Sequence, residues 1–287
     1  MKYFPHFALC LATLILSSLP TSARDYELKK SALRAGQVLN IDNTMTLKDG
    51  VVTMTMPGKS TNGTMSSTHH SVQAARIVAV DNGVATETET ETKTSTNKQS
   101  ITLFGQTQDK DIKEPLDGTI VVSKRINGKW DNQLKGGQPT EEQTKALKAF
   151  SIMDSEEIYD DRPIAEGESW EVPPDRLSKF LGGFAAGTAA GTARCKFDRV
   201  DTVDGQPCAI IAIELSIIGQ PADQDVPDAK MTLDLKGTII RSLATRIDLK
   251  VEMTGTMKVE GSNPKTPGIK TEVSGAMGLK QTTDLSK

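Results

Sequence analysis

Residues 84–96 read VATETETETKTST, and this segment constrains the fold more tightly than any other. Thr86, Thr88, Thr90, Thr92 and Thr94 occupy every second position, with Glu87, Glu89, Glu91 and Lys93 between them. Strand side chains alternate between two faces, whereas a helix returns to one face about every 3.6 residues. Threonine is β-branched and packs well on a pleated surface. The run therefore predicts a strand with threonines on one face and a solvated charged row on the other. The glutamates are not set in a loop of the kind that binds calcium.

The same period of two continues along most of the chain, interrupted by turn pairs. Val38 to Leu47 and Val51 to Met56 read as strands around a turn at Asp49-Gly50. Pro57-Gly58 through Asn62-Gly63 reads as a loop, and Met65 to Val80 as an extended stretch ending at Asp81-Asn82-Gly83. Thr119 to Ile126 and Lys129 to Leu134 form a hairpin about Asn127-Gly128, a dipeptide suited to a type I′ turn. Further strands are expected at Thr192–Val200, Cys208–Ile218, Met231–Ile240, Leu243–Val259 and Lys270–Thr283.

Helical spacing enters only near the middle. Thr140 is placed to cap a helix reaching Met153, with Gln143 completing a capping box. Ala146, Leu147, Ala149, Phe150 and Met153 make its apolar stripe. Pro173-Pro174-Asp175 opens a second short helix, Arg176 to Leu181. The glycine-spaced run 181–193 reads as a loop easing into a strand. The fold class that follows is mainly β: a large curved antiparallel sheet or half-open barrel with two short helices inserted mid-chain. Aromatics are only 4% of the chain, so the core relies on Val, Ile, Leu and Met. Such a thin core suits one extended sheet better than a thick α/β domain.

Residues 1–23 carry the marks of a signal peptide. Lys2 is basic, Phe7 to Leu19 is apolar, and Thr21-Ser22-Ala23 is a small-residue cleavage triplet. The apolar run is shorter than the roughly 20 residues a membrane span needs. Cys10 lies inside that run, not after a small-residue motif, so it reads as filler and not as a lipidation site. The expected product is an exported protein, periplasmic or extracellular, starting at Arg24, with residues 24–287 as a single β-rich domain. Its expected properties include no transmembrane span. A net charge of −3 without a dense basic patch argues against nucleic acid as a partner.

Export exposes Cys195 and Cys208 to an oxidising compartment, which favours a disulfide. Their spacing about Asp204-Gly205 opposes one. A tight turn there faces Val203 with Gln206, Asp201 with Cys208 and Cys195 with Glu214, leaving the thiols about 20 Å apart. The bonding state stays open at this point.

Chemistry-bearing motifs are missing from the sequence. Gly167-Glu168-Ser169-Trp170 only begins like a G-x-S-x-G elbow, and Gly58-Lys59-Ser60 lacks the leading glycine of a phosphate loop. His69 and His70 are adjacent on a strand and point to opposite faces. Asp223, Asp225 and Asp228 read as a solvated loop. No Cys/His spacing suits zinc, and no cofactor fingerprint is present. The expectation is a protein that is not an enzyme and that uses neither cofactor nor metal.

Several segments resemble, in order and spacing, a family of exported bacterial β-rich proteins of unknown function. They are Gly36-Gln37 after Tyr26-x-Leu28, Asn127-Gly128-Lys129-Trp130, Pro139-Thr140-Glu141-Glu142, the stretch Asp161 to Trp170 with its Gly-x-x-Trp, and the Asp-Gly hairpin Val203 to Ala209. These are turn and packing residues, so the resemblance implies a fold and an export route and transfers no catalytic residue. The architecture looks like the half-open barrel of periplasmic lipoprotein carriers, whose helices lid an apolar concavity. By that analogy the chain is a binding module for an apolar ligand such as lipid, with Leu147 and Phe150 as ligand-binding residues. The alternative is a structural or protein-interaction component of the cell envelope with no small ligand.

Overall fold

A computed structural model describes residues 24–150, 154–180, 190–220, 229–262 and 268–286. The expected signal peptide, Cys10, Met153, Leu181, most of the glycine-spaced run and Asp223, Asp225 and Asp228 lie outside the described residues. The first half of the chain forms β1 (Asp25–Tyr26), β2 (Val38–Met56), β3 (Lys59–Asp81), β4 (Val84–Leu103), β5 (Gln106–Lys113), β6 (Ile120–Ile126) and β7 (Lys129–Leu134). The middle holds α1 (Glu141–Ala149), a 3-10 turn at Asp154–Ile158, β8 (Ile164–Ala165), β9 (Ser169–Glu171) and α2 (Pro174–Phe180). The rest is β10 (Ala190–Val203), β11 (Gln206–Gly219), β12 (Lys230–Ser242), β13 (Asp248–Ser262) and β14 (Lys270–Ser286).

Twelve of these strands make one antiparallel sheet in the order β7-β6-β4-β3-β2-β14-β13-β12-β11-β10-β9, with β5 beside β6 along the same side of β4. The sheet ends at β7 and β9 and does not close into a barrel, as the mainly β, curved-sheet expectation requires. β1 and β8 pair separately. Close strand approach is built in at Gly237 and Gly255, where a Cβ would lie only 1.9 Å from the Glu252 carbonyl and 1.8 Å from that of Asp234. Only glycine fits in such bends.

Two turn assignments change. Asp49-Gly50 does not reverse the chain; it is a bulge within β2, between Leu47 and Gly50, with Asp49 at φ 50. An Asp-Gly pair supplies the left-handed backbone that a bulge uses as readily as a hairpin does. The reversal comes at Pro57-Gly58, and Asn62-Gly63 lies inside β3. The other turns stand: Asn82-Gly83, Asn127-Gly128 and Asp204-Gly205 all carry positive φ at both positions.

Bulges also trim the alternation of residues 84–96. Extra residues at Thr86 and Lys93 break the pairing with β3, so Thr88, Thr90 and Thr92 are buried together while Thr94 turns outward. At the Asp204-Gly205 hairpin, Val203 faces Gln206 and Asp201 faces Cys208, but a bulge after Phe197 sets Cys195 opposite Ile213 instead of Glu214. Ile213 and Cys208 alternate to opposite faces of β11, so the thiols are on opposite sides of the sheet, and both are free.

Antiparallel partners share a face, so the registers trace rows across the sheet. One row runs Cys195, Ile213, Gly237, Met253, Leu279, Met45, His69 and Asn97 from β10 to β4. The opposite face presents Arg194, Glu214, Lys236, Thr254, Gly278, Thr46, Thr68 and Lys98. The first face is the inner one. Residues 154–180 pack over its β10–β13 side, where Ile158, Tyr159, Trp170, Val172 and Leu177 join Phe197, Ile211, Ile213, Leu215 and Leu235 in the main core. The segment before β2 runs across one end of the sheet. Ala32 N–H donates to the Thr245 carbonyl (2.8 Å), Leu33 N–H to Gly83 (2.9 Å) and Gly36 N–H to Ile77 (2.8 Å).

Candidate functional site

The inner face lies between two covers, and its chemistry grades from one to the other. Under residues 154–180 it is aliphatic. Across β13, β14 and β2 it turns methionine-rich: Met253 and Met277 are buried, while Met257, Leu279 and Met45 are only half-buried. Methionine is unbranched and polarizable, and adapts to irregular apolar partners. Beyond β2 the same rows become His69, Asn97, Ser71 and Ser95.

The second cover is α1. Thr140 and Gln143 form the expected capping box, but the helix ends at Ala149 and not at Met153. Phe150 is extended and donates its N–H to the Leu147 carbonyl. Leu147 is buried against Leu116 and Val121, with Phe150 and Leu134 packed around them. Val121 and Leu134 share a row with Thr90, Ala75 and Leu39, so α1 sits on the inner face at the β6–β7 margin. Asn132 of β7 fastens the helix end, its amide nitrogen donating to the carbonyls of Leu147 (3.0 Å) and Phe150 (2.8 Å). Beside this contact lies a groove of about 580 Å³ lined by Trp130, Asn132, Leu134, Pro139, Thr144 and Leu147. Leu147 is thus on the groove wall, and Phe150 is in the cluster behind it.

Comparison with known proteins yields no family. No family model matches the chain, and no curated protein matches it. Among solved structures, a DUF1329 family protein from Desulfovibrio piger matches over 82% of this chain and 84% of its own, at 10% identity and a TM-score of 0.19. DynF from the dynemicin biosynthesis pathway of Micromonospora chersina matches over 91% and 86%, at 8% identity and a TM-score of 0.19. A domain assigned to outer membrane lipoprotein sorting in Vibrio parahaemolyticus matches over 88% and 85%, at 13% identity and a TM-score of 0.14. Scores this low do not establish a shared fold.

Reactive groups near the inner face are held in unreactive settings. The Cys195 thiol is pushed up to about 12, first by burial and then by the nearby Asp248 charge. A thiol so held is not a nucleophile at neutral pH. Tyr159 is likewise raised well above the usual phenol value by burial and by Asp248. Its hydroxyl donates to Asp248 Oδ1 at 2.6 Å, and Arg241 Nη1 donates to the same oxygen at 2.6 Å. Arg241 also lies 3.9 Å from the Tyr159 ring centroid and donates through Nε to the Leu28 carbonyl at 2.7 Å. Burial works against the Arg241 charge, but Asp248, helped by Tyr159 and Glu156, more than offsets it and holds the guanidinium protonated. This buried network ties three separate stretches of chain together: the N-terminal segment, the 154–180 cover and the β12–β13 hairpin.

One grouping escaped sequence reasoning. His69 Nε2 lies 3.4 Å from Ser95 Oγ and 3.9 Å from Glu114 Oε1. Both partners meet the same ring nitrogen. A catalytic triad uses the two nitrogens for the two partners, so this carboxylate competes with the hydroxyl instead of orienting the base. His70 points to the other face, 3.1 Å from Asp42. No helix among the described residues is long and apolar enough to cross a membrane.

Proposed function

We propose that the chain is an exported, non-enzymatic binding module for an apolar ligand of the acyl-chain class. Residues 1–23 serve as its cleaved signal peptide, and residues 24–287 form one β-rich domain. The observation that carries this reading is the half-buried strip of Met45, Met257 and Leu279 between two covers on the inner face. A sheet serving only as a scaffold gains nothing from leaving adaptable apolar side chains half-covered, whereas a ligand surface does. The ligand reaches the α1 margin, where Leu147 and Phe150 contact it. Binding of a fluorescent acyl-chain probe, offered as the fatty acid and as its monoacylglycerol ester, tests the reading. Saturable binding weakened by Phe150→Ala supports both the module and this helix. Absence of saturable binding with either probe leaves the structural, protein-interacting envelope component as the answer. N-terminal sequencing of the exported protein tests the route, with Arg24 as the expected first residue.

A further inference from the structure

Near α1 the inner face carries buried polar atoms without a partner among the described residues. Thr88 and Thr90 are 0% exposed, and Thr92 and Ser123 are each 2% exposed. Among the described residues, the hydroxyl oxygens of all four lack a hydrogen-bond partner, as does Asn132 Oδ1. They form one array. Thr88 faces Ser123, which faces Asn132, so these three cross adjacent strands in a single row. Thr90 and Thr92 continue along β4 on the same face. Neighbours across strands stand about 5 Å apart and alternate residues along a strand about 7 Å apart, so the array spans the footprint of a small polar group. Buried polar groups in native proteins are almost always paired, so an array of this size calls for a partner.

The array's composition specifies the partner. Both Asn132 amide protons are engaged at the helix end, so its free oxygen accepts only. The hydroxyls both donate and accept. The rows through Thr88, Thr90 and Thr92 contain Ile77, Ala75, Gln73, Val121 and Leu134 and no charged residue. Glu87, Glu89, Lys124 and Lys135 pair with one another on the other face or at its margin, and Arg125 lies 5.9 Å from the Trp130 ring centroid. The nearest cations, Arg125 of β6 and Lys148 of α1, are both exposed at the margin, so an anionic group buried among these rows would have no buried cation to meet it. We infer that this array receives the neutral, hydroxyl-bearing polar end of the ligand, with α1 closing over it. A monoacylglycerol then fits and a fatty-acid carboxylate does not.

The inference rests on the binding reading above, and its test separates the two. Thr88→Val and Thr90→Val are near-isosteric and favour strands, so both variants should fold. Each is expected to weaken monoacylglycerol binding about tenfold, to leave fatty-acid binding unchanged, and to keep or raise the ligand-free unfolding midpoint. Wild type binding the fatty acid as tightly as the monoacylglycerol overturns the inference while keeping the module. So does monoacylglycerol binding insensitive to both variants. A lowered midpoint in the ligand-free variants also overturns it, because the hydroxyls then have partners in the free protein. No binding of either probe removes the module itself.

Discussion

Strands β10–β13 and strands β3–β6 belong to one sheet and share its inner face, yet only the first group supports a dense core. There Phe197, Ile211, Ile213 and Leu215 meet Tyr159 and Leu177 from the cover and Trp170 of β9. The Trp170 and Tyr159 polar atoms are paired, and the atoms left without a partner on this side, among the described residues, are one nitrogen each of Arg241 and Arg176. On the other side, clusters around Ile77 and Val121 are small, and buried hydroxyls stand unpaired between them. The difference is one of kind: the aliphatic side holds the fold around a charged network, while the hydroxyl side keeps neutral unpaired atoms at positions valine would fill, which the binding reading proposed above accounts for.

The strongest way to break this comparison is at the network under the aliphatic side. Asp248→Ala leaves Arg241 charged, buried and without its carboxylate, and is expected to cost about 3–5 kcal/mol in urea unfolding. A loss below about 1 kcal/mol would show that the 154–180 cover does not depend on this anchor. The two tryptophans sharpen the contrast. Trp170 is buried, with its indole N–H donated to the Ile158 carbonyl at 2.8 Å, and Trp170→Ala should cost about 3–5 kcal/mol. Trp130 is half-buried at the other margin, so Trp130→Ala should cost only about 1–2 kcal/mol.

Alkaline pH probes the same asymmetry. Cys195 and Tyr159 hold their protons above the values they take in an unfolded chain, so the folded state binds more protons as pH rises. The stability this contributes is complete below pH 9.0, the ordinary thiol value, and is lost as pH climbs toward about 12. Cys195→Ala should flatten that decline, measured as unfolding midpoint against pH; an unchanged slope would place the titrating group elsewhere. The smallest effect expected is at Asn132. Asn132→Ala should cost about 1 kcal/mol and speed amide exchange in α1 while leaving the aliphatic side protected.

How much of this was legible in the sequence depends on the scale of the signal. Strand identity followed from alternation, and the Asn127-Gly128 and Asp204-Gly205 hairpins followed from turn chemistry. Thr140 and Gln143 announced the start of α1. Bulges were not legible: a residue inserted at Lys93 or after Phe197 leaves the local pattern intact and shifts the face only relative to a partner strand. For the same reason Asp49-Gly50 reads as a reversal although it only kinks β2. The Ser95–His69 contact and the row linking Thr88 with Asn132 depend on long-range registers that no local spacing encodes. The Thr/Glu run did mark the β4 face on which the hydroxyl array sits.

The strand order has a consequence for how the chain is made. β2, the first long strand in the chain, pairs along its length with β14, the last of these strands, and this seam lies mid-sheet with hairpin stacks on either side. Until β14 emerges, the two stacks have no common partner, and the loop to be closed spans all the strands between them, which makes assembly slow. A sheet that cannot join its two halves before β14 is made keeps its earlier strands loosely held for longer. Removing β14 would then not trim a border of the sheet; it would split the molecule down the middle.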